Sequence, residues 1–169
     1  MLKFIYEFKF NITYFNIYFY NNMGGIEMKI VYRLLFILHL FVGIGALAGG
    51  LAAITNPQAP LGMTTEPLAN SPFSNYLIPG IILFTVIGVG NILSALMFRF
   101  KSKLQGYVSS VFSWALVIWI VVQCIILNTV VFLHILYFAI GLIQAILSLI
   151  ILFDHHLFPT NIILVIFKK

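Results

Sequence analysis

Charge is what this chain has least of. Nine Lys/Arg and four Asp/Glu amount to 8% of its 169 residues, where a soluble domain carries about a quarter. That scarcity excludes an ordinary water-soluble globule and a disordered tail. It also excludes a nucleic-acid binder, which needs Lys and Arg clustered on one face. Cysteine is nearly absent: Cys124 stands alone, so an intramolecular disulfide, a CxxC redox pair and a cysteine-paired zinc site are all excluded. Cys124 reads as a small packed hydrophobe. No carboxylate falls inside any long apolar run. This removes proton antiport on a membrane-embedded Glu and proteolysis by an intramembrane Asp pair. No Walker or dinucleotide-binding glycine pattern stands between a strand and a helix. No nucleophile, base and orienter are expected to lie close together. The reading is therefore non-enzymatic, with no catalytic residue, metal or cofactor.

What is present is apolar, 62% of the residues. Leu34–Ile54 is 21 residues without a charge, Tyr76–Phe98 is 23 and Leu104–Phe153 is 50. As a helix the last run would be about 75 Å long, more than twice the ~30 Å hydrocarbon core, so it must fold as two spans. The break is predicted at Asn128-Thr129, the least apolar point near its middle. The fold class is thus all-α, a four-helix transmembrane bundle with spans over about 30–54, 76–99, 104–127 and 129–153. Strands are excluded because the ten-residue alternation of membrane barrels is missing.

The basic residues give the orientation. Lys29 and Arg33, then Arg99, Lys101 and Lys103, then Lys168 and Lys169 all fall on one side of the four spans, while 55–75 and 128–129 hold no Lys or Arg. Both termini are expected in the cytoplasm, N-in and C-in. The 55–75 loop on the other side carries four of the six prolines, Pro57, Pro60, Pro67 and Pro72. It is expected to be irregular but stiff, a strap across the helix ends or a functional loop. Residues 154–169 form a short cytoplasmic tail. Its Asp154-His155-His156 cannot all face one ion, so the histidines read as a solvated helix end.

Residues 1–27 differ in kind. Twenty of the first 23 are Phe, Tyr, Met, Ile, Asn or Lys, the residues with A+T-rich codons. Gly24-Gly25 can be encoded by GGAGGN, a bacterial ribosome-binding sequence just upstream of the Met28 codon. Translation is expected to begin at Met28, leaving 1–27 as an untranslated leader. The alternative is an aromatic segment lying on the membrane surface.

Within the spans, small residues mark faces for helix packing. Gly45, Gly49 and Ala53 form one stripe on span one, and His39, Gly43, Ala46, Gly50 and Ala53 form a second. On span four, Gly141, Ala145 and Ser148 share a face with His134. These stripes fit intramolecular packing better than dimerisation. Polar residues inside spans are costly and point to function by default. His39, Asn91, Ser113 and Gln144, one per helix, are each about 9–14 Å from the cytoplasmic boundary at helical rise. They form a candidate inner-leaflet polar layer, either interhelical hydrogen bonding or a substrate or proton path. His134 falls in the opposite leaflet, so the two intramembrane histidines cannot share a metal.

The segment LFILHLFVGIGALAGGLAAITNPQAPLGM, followed by SPFSNYLIPGIILFTVIGVGNILSAL, resembles uncharacterised small four-helix membrane proteins of low-G+C bacteria over roughly residues 28–153. The NPxxPLGM and SPF loop motifs are its most specific part. The resemblance implies the bacterial cytoplasmic membrane and carries no activity or functional residue. The expectation is a multi-pass accessory or structural component, partnered by the lipid bilayer and by a second copy or another membrane protein, with no nucleic acid. The alternative is a small oligomeric permease or channel.

Overall fold

In a computed structural model the described residues are 25–69, 71–100 and 104–154. Most of the leader and the tail from His155 onward lie outside them, as do Lys101 and Lys103. Among the described residues every regular element is helical. Helix α1 covers Gly25–Thr55, α2 runs over 77–99, α3 covers Gln105–Leu127 and α4 covers Phe132–Asp154. All four are long and apolar enough to cross a membrane. They run up and down in chain order, the short connections after α2 and α3 making antiparallel neighbours, and α4 closes the ring against α1.

The bundle inverts the soluble pattern. Its surface carries Ile37, Phe41, Ile44, Ile118, Ile135 and Ile146, all exposed, while His39, Asn91, Ser109, Ser113, Gln144 and Ser148 are buried. Aliphatic side chains turned outward suit a lipid solvent, where the polar groups must find partners within the protein.

Where the chain turns, the cause is local. Asn128 ends α3 with φ 46° and ψ 36°, the left-handed conformation that Asn tolerates and that terminates helices. His134 then caps the start of α4, its Nδ1 accepting the Val131 N–H at 3.3 Å. The long loop folds as two short 3-10 turns, Pro60–Gly62 and Glu66–Leu68, with proline in the first turn of each, where its missing donor costs nothing. Tyr76 ties this loop down: its hydroxyl donates to the Thr64 carbonyl at 3.0 Å, and its N–H bonds the Pro57 carbonyl at 2.9 Å. Ala53, Leu68 and Tyr76 pack there with Ile126 and Leu127 of α3. The loop is a strap seated on the helix ends.

Helices α1 and α2 approach most closely. A Cβ at Gly50 would stand 2.7 Å from the Phe84 backbone nitrogen, and one at Gly80 would stand 2.6 Å from the Ala53 Cβ. Backbones can come this near only where side chains are missing. The contact at Phe84 lies in a π-helical stretch, Leu83–Val89, at the centre of α2. Such stretches are rare and recur beside functional sites.

Candidate functional site

Apart from His134, the buried polar residues gather in the half of the bundle nearer Gly25 and Asp154. His39 reaches from α1 to two other helices. Its Nδ1 lies 2.7 Å from Asn91 Oδ1 on α2, and its Nε2 lies 2.7 Å from Ser109 Oγ on α3. The Asn91 amide nitrogen donates to the Ile87 carbonyl at 2.8 Å, which leaves Oδ1 as the acceptor. His39 therefore carries its proton on Nδ1 and donates to Asn91, and its Nε2 accepts from the Ser109 hydroxyl. Three helices are clasped by one neutral ring. The Phe98 ring stacks on it, with centroids 6.1 Å apart.

Of the four residues proposed as a layer, all are fully buried, and His39 and Asn91 are bonded directly. Ser113 is not the serine that meets His39. Its hydroxyl donates to its own helix, at the Ser109 carbonyl. Ser109, one turn nearer the start of α3, makes the contact instead. Gln144 stands apart: both ends of its amide are buried without a hydrogen-bond partner. On the antiparallel α3–α4 face, Gly141 packs against Val117 and Gly106 against Leu152, a register that puts Gln144 level with Ser113.

The fold also corrects the expectation that no nucleophile, base and orienter come together. Ser109, His39 and Asn91 line up as hydroxyl, imidazole and amide, the order of a triad. They are far apart in sequence, at separations of 52 and 70 residues from His39. Hydrolysis would further require oxyanion donors and room for a substrate at the hydroxyl. Ser109 is fully buried within a helix. Above the clasp lies a packed core of Val42, Ile87 and Leu116, and below it lies another of Leu35, Phe98 and Ile151.

The small-residue faces separate into different roles. Gly43 and Gly50 receive α2, at Ile92 and Phe84. Ala53 is buried under the strap. Gly45 faces the Tyr137 hydroxyl of α4, whereas a Cβ at Gly49 would meet only Leu83, at an ordinary 3.5 Å. Both Gly45 and Gly49 line a cavity of about 520 Å³ in the loop-end half. On α4, Gly141 lies against Val117 and Leu116, Ala145 is buried, and the Ser148 hydroxyl donates to the Ala145 carbonyl at 2.8 Å. His134 lines the cavity at its loop end, far from His39 along the helices. Among the described residues no group of three or more His, Cys, Asp or Glu could hold a metal.

The chain matches no family model, no curated protein and no solved structure.

Proposed function

We propose that the chain is a multi-pass component of the bacterial cytoplasmic membrane, with both termini in the cytoplasm. It acts by contacts with a second copy or another membrane protein rather than by catalysis. The layout it shares with small four-helix membrane proteins of low-G+C bacteria supports the location, and the one-sided placement of Lys and Arg supports the orientation. The observation that carries the non-enzymatic reading is the His39 clasp. Its polar atoms bond one another and the Ile87 carbonyl, it is sealed between two apolar cores, and it joins three helices into the rigid unit that a binding partner requires.

A second reading, a small permease or channel, draws on the cavity in the loop-end half of the bundle, whose lining reaches inward as far as Val42, Ile87 and Leu116. A solute would have to break the clasp to go further. Cross-linking in native membranes, followed by purification of the intact chain in mild detergent, separates the two readings. The proposal expects a stable complex with a second protein chain and no solute flux in reconstituted vesicles. A monodisperse monomer that carries solute across vesicles would overturn it.

A further inference from the structure

Helices α3 and α4 flank a groove of about 570 Å³ at the loop end of the bundle. Its place follows from the packing of the pair. A Cβ at Gly141 would meet Val117, and one at Gly106 would meet Leu152. The same antiparallel register, carried seven residues past Val117 and seven before Gly141, sets Cys124 level with His134. Both line the groove, with Ile120 and Phe138 one turn deeper. Its rim is apolar and open, with Ile125 and Ile135 74% and 60% exposed. No Asp, Glu, Lys or Arg contributes to it.

His134 supplies an independent observation. The residue is only 9% exposed. Its Nδ1 accepts the Val131 N–H, so the ring is neutral and carries its proton on Nε2. Among the described residues nothing accepts that proton. Trp119 Nε1 and both ends of the Gln144 amide are unpaired and sealed in. His134 Nε2 is unpaired without being sealed, so a molecule lying against the ring reaches it. A nearly buried donor left unmet is costly, and its partner must bring an acceptor.

Depth narrows the choice of acceptor. The 23 residues of α4 make a helix about 35 Å long, slightly more than the ~30 Å hydrocarbon core. His134, in the first turn, therefore lies where hydrocarbon gives way to headgroups. That is the level of the ester carbonyls of a diacyl phospholipid. Such a carbonyl is uncharged and suits an uncharged lining, and the acyl chain below it meets Ile120 and Phe138. The exposed rim opens on the lipid phase itself, so entry needs no gate.

We propose that the α3–α4 groove is a binding site for a diacyl phospholipid of the loop-side leaflet, held by a hydrogen bond from His134 Nε2 to an acyl ester carbonyl. The first methylenes of that chain lie against Ile120, Cys124 and Phe138. The inference goes beyond the accessory role and does not depend on it. It needs only that the helices span a bilayer.

Cys124, the chain's single cysteine, reports on this site. It is half-buried and lines the groove but not the loop-end cavity. The full chain is taken up in maltoside micelles, and the rate of Cys124 alkylation by N-ethylmaleimide is followed as lipid is added. Dioleoyl phosphatidylcholine is compared with its diether analogue, which has the same headgroup and chains but no carbonyl. Both should slow alkylation, and the diester should do so at a mole fraction roughly fivefold lower, as one hydrogen bond implies. His134→Leu, which has no donor, should erase that difference. Equal half-protecting mole fractions for the two lipids on the unaltered chain would overturn the proposal. So would an ester preference that survives in His134→Leu. Protection that follows protein concentration rather than lipid would give the groove to a second copy and overturn it too. The comparison on the unaltered chain decides by itself if His134→Leu fails to fold.

Discussion

At His39, two ring nitrogens meet oxygens from two other helices, and each contact is 2.7 Å long. Hydrogen bonds between membrane helices are worth about 0.6 kcal/mol on average and at most ~1.7, so the clasp contributes through number and placement. Its removal should be graded by partner. Ser109→Ala leaves Nε2 of a buried ring without its donor and should cost about 1 kcal/mol in thermal unfolding in detergent. Ser113→Ala gives up a bond within one helix and should cost less than about 0.5 kcal/mol. Equal losses would mean that Ser109 contributes no more than a bond within one helix, and a larger loss at Ser113 would mean that Ser113 meets the ring. Gln144 makes the opposite case, because its buried amide has no partner. Gln144→Leu should stabilise the bundle by about 1 kcal/mol, and a clear destabilisation would show that the amide is engaged. The polar layer itself was legible in the sequence, since polar residues inside apolar runs stand out. Which serine serves it was not, because that depends on the rotation of α3 against α1, and one helical turn separates Ser109 from Ser113.

Helices α1 and α2 meet backbone to backbone at Gly50 and Phe84, and this contact gives the sharpest expectation for an element. Gly50→Leu forces the two helices apart and should cost about 2–3 kcal/mol. Gly49→Ala, its neighbour, meets only ordinary contact and should stay within about 0.5 kcal/mol. Similar losses at both positions would place the crossing elsewhere. The strap is held by Tyr76, whose phenol burial pushes above its ordinary value of 10.0. Folding therefore favours the protonated phenol. This contribution is fully present below about pH 10 and is lost as pH rises beyond it. Tyr76→Phe should lower stability slightly at neutral pH and flatten its fall in alkaline solution. An unchanged alkaline limb would contradict this role. The proline-led turns of the strap could be read from the sequence, and the α3–α4 break from Asn128. The π-helical stretch in α2 has no residue signature, and the side chains around Gly49 that open the cavity come from distant parts of the chain.

For the whole molecule, four long apolar spans are a requirement of lipid, which is why the bundle could be read from the sequence and its interior only in part. The proposed orientation puts Met63 outside and Phe100 at the cytoplasmic face. Both side chains are exposed. With Cys124→Ser as background, Met63→Cys should react with a membrane-impermeant maleimide in intact cells, and Phe100→Cys should react only after lysis. The reverse pattern would invert the topology. The central claim is that the buried polar groups hold helices together across the bundle. A double-mutant cycle on His39→Ala and Asn91→Ala, read by unfolding of the intact chain in detergent, tests it most directly. The two positions should be coupled by about 0.5–1.5 kcal/mol, with the double variant losing less than the two single losses combined. Additive losses, or no loss at either position, would contradict the clasp.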